Sequence, residues 1–161
     1  MNLRFSILTV SDRSSRGERA DTSGPALADL VRLQGWQVVK QDIVADDVDA
    51  IKEKLQNWSD SGDADVILVT GGTGFAPRDV TPEATRAVVE RLTPGLDEAM
   101  RAASLEVTPH AMLSRAVSGI RKRTLIVNLP GSPKGATENL QVVFPALEHA
   151  VKLLRDEDVE H

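Results

Sequence analysis

The feature that most constrains the fold is the run Val66–Thr70, five aliphatic or β-branched residues with no polar alternation. A strand with one solvated face alternates apolar and polar residues, whereas a strand covered on both faces does not, as in parallel sheets packed between helices. Three glycines, Gly71, Gly72 and Gly74, follow directly. We therefore expect a central parallel strand that ends in a glycine-rich loop.

Strand-like and helix-like segments alternate along the rest of the chain. The segments after the first three strands and the last segment carry apolar residues at helical spacing. The third of these helices is predicted to begin at a Thr81 cap and to carry Ala84, Val88 and Leu92, and a further short helix to span Asp97–Leu105. Two late strands flank the basic Arg121–Arg123, so a hairpin would add one antiparallel strand. The fold class is predicted to be α/β, a three-layer α/β/α arrangement with a mostly parallel twisted sheet. The other strand-like runs are Phe5–Val10, Val38–Val44, Val117–Ile120 and Thr124–Leu129.

Bulk composition excludes several classes of protein. The 161 residues suit a single domain spanning 1–161, and the net charge of -5 argues against a general nucleic-acid binder. No apolar run approaches the roughly 18 residues of a membrane span, and the first residues lack a signal-peptide pattern, so we expect a cytoplasmic protein without a membrane partner. The absence of cysteine excludes disulfides and thiolate chemistry, and His110, His149 and His161 lack metal-ligand spacing.

Three polar, glycine-containing loops each follow a strand-like segment: Ser11–Gly24, Gly71–Asp79 and Pro130–Gly135. In open α/β sheets, ligands bind outside the carboxyl ends of the parallel strands. We therefore expect the three loops to line one edge of the sheet and to form the ligand site together.

The glycines of the central loop alone leave two interpretations equally open, a tight turn or a backbone cradle for an anion. Two common phosphate loops are excluded. The dinucleotide fingerprint would need glycine or alanine where Pro77 stands, and a Walker loop would need Gly-Lys-Ser/Thr at its end. Any phosphate site here follows another scheme.

Charged residues in these loops also allow two interpretations each. Arg78 and Asp79 suit a phosphate and a magnesium ion held by that phosphate, or they form a surface ion pair or a helix cap. Asp46 precedes a helix and is also a candidate cap. Lys134 is either an ordinary surface lysine or part of a second anion site at a helix N-terminus.

Taken together, the loops resemble a known family, the molybdopterin adenylyltransferases of molybdenum cofactor synthesis. These form the Mog-like branch of the MoaB/Mog fold, which also occurs as the G domain of gephyrin. The matching stretches occur in order and span nearly the whole chain. They are Thr9–Arg13 with Asp21–Pro25, Thr70–Thr85, Met112–Arg115 and Asn128–Gly135.

The resemblance implies a subunit, usually trimeric, that transfers AMP from ATP to the terminal phosphate of molybdopterin with Mg²⁺ and releases pyrophosphate. It also implies that a molybdenum-inserting protein receives the product. Asp46 and Asp79 match the carboxylates that serve the metal and the transfer step. The implied molybdopterin site is Ser11, Asp12, Ser23 and Gly24. The implied nucleotide site is Gly71, Gly72, Thr73, Gly74, Pro77, Arg78, Ser114, Asn128, Pro130, Gly131, Ser132, Lys134 and Gly135.

The chain departs from the family's pattern at one place, and two other functions compete with adenylyl transfer. The family commonly has Val-Pro-Asp where this chain has Val44-Ala45-Asp46, which keeps the aspartate and loosens the turn. A non-catalytic molybdopterin-binding or scaffold domain is the alternative function, although such a domain has no need of Asp79. A nicotinamide-dependent oxidoreductase is disfavoured because the dinucleotide fingerprint is missing.

Overall fold

A six-stranded sheet forms the centre of the fold. The computed structural model describes residues 1–158, so His161 lies outside the described residues. The strand order is β2-β1-β3-β6-β5-β4; the first four are parallel, and β5 and β4 continue the sheet in antiparallel fashion. The strands are β1 Arg4–Val10, β2 Gln37–Val44, β3 Val66–Thr70, β4 Arg91–Leu92, β5 Ser118–Arg121 and β6 Thr124–Leu129.

Helices cover both faces of this sheet, which confirms the predicted mostly parallel α/β fold. Helices α2, α5 and α6 pack on one face, and α3 and α4 pack on the other. Among residues 1–158, no helix combines the length and apolar character of a membrane span. The helices are α1 Asp12–Ser15, α2 Ser23–Leu33, α3 Val48–Ser61, α4 Thr81–Val88, α5 Pro94–Leu105 and α6 Pro133–Leu154, with a 3₁₀ helix at Pro109–Leu113.

Strand β3 lies in the middle of the sheet, as its unbroken apolar sequence predicted. All five of its residues are buried, and it pairs with β1 on one side and β6 on the other. Because side chains alternate along a strand, Leu68 packs into the core under α2 and α6, whereas Ile67 and Val69 pack under α3 and α4. Both faces of β3 therefore exclude water.

Three predicted helix boundaries were wrong. Helix α4 ends at Val88, and Leu92 lies in the short strand β4. Helix α5 begins at Pro94 rather than near Asp97, because proline suits the first turn of a helix, where its missing N–H costs nothing. The hydroxyl of Thr81 does not cap α4, which begins at Thr81 itself.

Asp65 connects the opposite end of the sheet to the last helix. Its side chain is 3% exposed and accepts hydrogen bonds from the Arg4 backbone N–H and from the guanidinium groups of Arg4 and Arg155, the shortest at 2.7 Å from Arg155 Nη2. Burial alone would raise the pKa of Asp65, but the hydrogen bonds from Arg4 and Arg155 outweigh it and lower that pKa.

We predict that Asp65→Asn lowers the free energy of unfolding by about 3 kcal/mol at pH 7, because two partly buried arginines lose their carboxylate. A carboxylate whose pKa is lower in the folded than in the unfolded state stabilises the fold at pH values above its unfolded pKa. The difference in unfolding free energy between Asp65→Asn and wild type should therefore shrink as the pH falls below about 4. Urea denaturation at several pH values measures this. Asp29→Asn, at an exposed α2 carboxylate, is the control and should change stability by less than about 0.5 kcal/mol; an equal loss in both variants would contradict the prediction.

Candidate functional site

The three predicted loops meet at the carboxyl ends of β1, β3 and β6, as expected. They enclose a cleft of about 370 Å³, which we call the polar cleft. Hydroxyl, carboxylate and backbone groups dominate its walls, so it suits a charged or strongly hydrogen-bonding ligand. Of the predicted site residues, it is lined by Ser11, Ser23, Asp46, Gly71, Gly72, Asp79, Gly131 and Ser132.

A second cavity of about 300 Å³ lies on the other side of the glycine loop. We call it the apolar cavity, because α5 and the 3₁₀ helix contribute Met100, Ala111 and Leu113 to its walls. Ser132 lines both spaces, so the two adjoin at that residue. Of the predicted site residues, the apolar cavity is lined by Thr73, Gly74, Ser114, Asn128, Pro130, Ser132 and Gly135.

The glycine loop is shaped by close contacts that only glycine permits. Gly72 has φ +68°, and a Cβ there would lie 2.5 Å from Thr81 Oγ1 and 3.1 Å from Asp46 Oδ1. The Thr81 hydroxyl donates to the Gly71 carbonyl at 2.8 Å, which ties the loop to the start of α4. Gly72 therefore brings the backbone directly against the Asp46 carboxylate.

Asp12 and Asp46 hold each other by reciprocal hydrogen bonds. The Asp12 N–H donates to Asp46 Oδ2 at 2.8 Å, and the Asp46 N–H donates to Asp12 Oδ1 at 3.0 Å. The Arg78 guanidinium donates two hydrogen bonds to the Asp12 carboxylate, from Nε to Oδ2 and from Nη2 to Oδ1, each with an N···O distance of 2.9 Å. Asp12, predicted to contact molybdopterin, thus contacts the charged groups beside the polar cleft instead of lining it.

These contacts move the pKa values of the two carboxyls in opposite directions. The hydrogen bond from Arg78 is the main cause that lowers the pKa of Asp12. Burial raises the pKa of Asp46, and the negative charges of Asp12 and Asp79 add to this effect. A cation placed at the polar cleft would relieve the repulsion at Asp46.

Asp79 closes its own loop and faces the polar cleft. Its Oδ2 accepts a hydrogen bond from the Ala76 N–H at 3.0 Å, and its own N–H donates to the Ala76 carbonyl at 2.9 Å. A Cβ on Gly74 would lie 3.0 Å from the same Oδ2, so glycine gives the carboxylate room. The structure therefore brings Asp46 and Asp79 to one cleft, as predicted.

Four predicted ligand residues use their side chains within the protein. Asn128 is fully buried; its amide donates to Thr85 Oγ1 at 2.9 Å, and its Oδ1 accepts from the Val117 N–H at 3.1 Å. Ser11 caps α1 through the Ser14 N–H, and Ser132 caps α6 through the Gly135 N–H. Ser23 is buried, with its hydroxyl 3.5 Å from Asp21. These residues shape the walls, and any ligand contacts would come chiefly from backbone groups.

Besides Asp12, four predicted residues line neither space: Arg78, Lys134, Pro77 and Gly24. Lys134 is exposed and lies 3.8 Å from Glu138 on the same helix face. Pro77 is exposed in the glycine loop. Gly24 packs under Asp21, which accepts its N–H at 3.1 Å, so its role is to let α2 approach β1.

Sequence reasoning missed two groups of residues. The first forms the α5 wall of the apolar cavity and includes Asp97 and Met100. Their helical spacing predicted a helix but did not indicate a ligand site. The second is Arg115, which hydrogen-bonds the glycine loop. Its only sequence signal was its place at the end of the stretch Met112–Arg115.

The fold and the two adjoining spaces define an α/β domain with a candidate ligand site, partly polar and partly apolar, at the carboxyl edge of its sheet. Residues 6–149 match the family described as a probable molybdopterin binding domain, and the chain belongs to that family. The predicted resemblance is therefore confirmed.

Named relatives agree with this assignment. The molybdopterin adenylyltransferase of Helicobacter pylori J99 is 42% identical over 94% of this chain and 88% of its own length. Gephyrin of Dictyostelium discoideum is 44% identical over 92% of this chain, but the chain spans only 22% of gephyrin. The structure of the molybdopterin biosynthesis enzyme MoaB from Thermus thermophilus superimposes with a TM-score of 0.90 at 49% identity, covering 98% of this chain and 99% of that one.

Gly72→Ala should lower the stability of the protein by more than the φ strain at that position alone would. Gly62 has nearly the same φ, +72°, but a Cβ there meets nothing within 4 Å. We expect Gly62→Ala to cost about 1 kcal/mol from φ strain, and Gly72→Ala to cost clearly more because Thr81 and Asp46 must move. Thermal unfolding of both variants measures this. Equal losses would mean that the contact with Asp46 is unimportant.

Proposed function

We propose that this chain transfers AMP from ATP to the terminal phosphate of molybdopterin, giving adenylyl-molybdopterin and pyrophosphate. The observation that carries this proposal is the pairing of an apolar cavity with a polar cleft whose wall includes the carboxylates of Asp46 and Asp79. An adenine base matches the first environment, and phosphate groups with a metal ion match the second. The named adenylyltransferase relatives support the same activity.

The proposed arrangement places the adenine in the apolar cavity, against Met100 and Ala111. The phosphates then cross the glycine loop at Gly71–Gly74 toward the polar cleft. Backbone N–H groups there and at the start of α6 favour anions, because unpaired amides and the helix dipole carry partial positive charge. The molybdopterin phosphate approaches from the side of Ser11 and Ser23.

The chemistry needs little help from a general base. A phosphate monoester has a second pKa of about 6, so the attacking oxygen is already largely deprotonated at neutral pH. A bond forms between that oxygen and the α-phosphorus of ATP, while the bond from the α-phosphorus to the bridging oxygen breaks and pyrophosphate leaves. Repulsion between two polyanions is the main obstacle, so the protein must position the phosphates and neutralise their charge.

Asp46 and Asp79 are the residues proposed to hold Mg²⁺. Within residues 1–158, no group of three or more acidic, His or Cys side chains has the spacing of a complete metal site. Two carboxylates still fit magnesium, which commonly takes one or two protein carboxylates and fills its other positions with phosphate oxygens and water. When bound, the ion would neutralise phosphate charge and relieve the repulsion that raises the pKa of Asp46.

We predict that Asp79→Asn lowers pyrophosphate release by at least about 100-fold, because the charge that holds the metal is lost. Binding of molybdopterin should stay within about threefold of wild type, since the asparagine Oδ1 can still accept the Ala76 N–H and keep the loop closed. The assay incubates the protein with ATP, magnesium and molybdopterin and measures pyrophosphate. Asp29→Asn is again the control.

Two results would contradict the proposal. Unaltered turnover of Asp79→Asn would remove that residue from the metal-binding and transfer roles. Wild-type protein that binds molybdopterin and releases no pyrophosphate would instead identify a non-catalytic binding or scaffold domain.

We further propose that the chain forms a homotrimer that works in the cytoplasm and passes its product to a molybdenum-inserting protein. Exposed apolar side chains near the apolar cavity support self-association: Phe75 and Met112 are each 67% exposed, and Val107 is 62% exposed. Light scattering should give three times the chain mass of 17.4 kDa at micromolar concentration. A mass of one chain would contradict the trimer.

A further inference from the structure

Arg115 contacts the glycine loop at two places, near its beginning and at its end. Its backbone N–H donates to the Thr73 carbonyl at 2.8 Å, and its Nε donates to the Gly74 carbonyl at 2.8 Å. Its Nη2 donates to the Asp79 carbonyl at 2.7 Å. One residue therefore fixes the beginning and the end of the loop that carries Asp79.

Glu83 on α4 holds the other side of the same guanidinium. Its carboxylate accepts hydrogen bonds from Arg115 Nη1 at 2.8 Å and Nη2 at 3.1 Å. These bonds are the main cause that lowers the pKa of Glu83, so the carboxylate is ionised at neutral pH. The pair connects the glycine loop to the helix that follows it.

The segment that carries Arg115 also forms a wall of the apolar cavity. Ser114 and Ala116, its two neighbours, line that cavity. Arg101 on α5 holds their carbonyls, at 3.4 Å for Ser114 and 3.1 Å for Ala116. A continuous set of hydrogen bonds thus runs from α5 through residues 114–116 to Asp79.

The loop itself has little burial to hold it in place. Residues 75–78 are exposed, and the loop's own bonds join Ala76 with Asp79. Exposed segments with few buried contacts open easily. The position of Asp79 relative to the glycines therefore depends on Arg115 together with Thr81, whose N–H and hydroxyl donate to the Gly72 and Gly71 carbonyls.

We propose that Arg115 is a positioning residue that sets the Asp79 carboxylate against the phosphates of a nucleotide whose base lies in the apolar cavity. This inference rests on the proposed adenylyl transfer and adds a residue to it. The role requires arginine, because the planar guanidinium presents several N–H groups in fixed directions. A lysine keeps the charge but cannot reach Gly74, Asp79 and Glu83 with one nitrogen.

The test compares Arg115→Lys with Arg32→Lys, a control at an exposed arginine on α2. For Arg115→Lys we expect kcat to fall about 100-fold, because a displacement of about 1 Å in a reacting group has that effect. The KM for ATP should stay within about threefold, since the apolar cavity is intact. The magnesium concentration for half-maximal rate should rise, and Arg32→Lys should match wild type in all three.

Glu83→Gln provides a second variant if Arg115→Lys is too unstable to study. It leaves the three carbonyl bonds of Arg115 in place and weakens only its contact with α4, so kcat should fall by about three- to tenfold; a wild-type kcat in Glu83→Gln would also overturn the proposal. Wild-type kcat and magnesium dependence in Arg115→Lys would overturn the proposal. A loss confined to the KM for ATP would overturn it as well.

Hydrogen exchange separates this proposal from the adenylyl-transfer proposal, because it needs no substrate. Amides of residues 73–80 should exchange faster in Arg115→Lys than in wild type or Arg32→Lys. Unchanged exchange would overturn the role of Arg115 whatever the activity. If exchange is faster in Arg115→Lys but the wild-type protein releases no pyrophosphate, Arg115 still holds the glycine loop and the proposed adenylyl transfer is wrong.

Discussion

Burial of β3 on both faces is the constraint on which the rest of the structure depends. Val66–Thr70 pairs with a parallel strand on each side and packs under helices on each face, so its backbone and side chains are removed from water. Because both edges and both faces of the strand are covered, the chain can reach solvent only where the strand ends. Gly71 and Gly72, both with positive φ, make that exit and immediately form the floor of the polar cleft. The same hydrophobic burial that stabilises the sheet therefore fixes where the site lies.

The sequence predicted features that depend on local patterns and failed on those that depend on distant partners. The unbroken apolar run predicted β3, two strand-like runs around a basic turn predicted the β5–β6 hairpin, and the alternation of strands and helices predicted the convergence of three loops. These patterns could not predict that Asp12 and Asp46, 34 residues apart, would bond to each other, or that Arg115 would reach the Gly74 carbonyl across 41 residues. The motif Asn128–Gly135 suggested ligand contacts, but its Asn128 side chain satisfies buried protein groups, which a one-dimensional pattern does not reveal.

The arrangement of charged groups around the polar cleft explains how a chain with a net negative charge can bind an anionic ligand. The net charge is -5, and four carboxylates lie at or beside the polar cleft, those of Asp12, Asp21, Asp46 and Asp79. Arg78 is held by Asp12, but this ion pair is largely exposed, and exposed pairs contribute little to stability. A phosphate dianion can therefore compete with Asp12 for the guanidinium. Within the protein, the groups that can attract an anion there are backbone amides, Arg19 in the cleft wall and Arg78 beside it. The proposed magnesium ion would add to them.

The replacement of the family's usual proline by Ala45 has a structural explanation in the same network. Proline in that turn would restrict the backbone before Asp46 by fixing φ. Here the Asp46 N–H and carboxylate are both bonded to Asp12, and the Asp47 N–H donates to the Ala45 carbonyl at 2.8 Å. Asp47 then caps α3 through the Ala50 N–H. Because hydrogen bonds fix the turn on both sides of Asp46, the carboxylate keeps its place at the polar cleft without the proline ring.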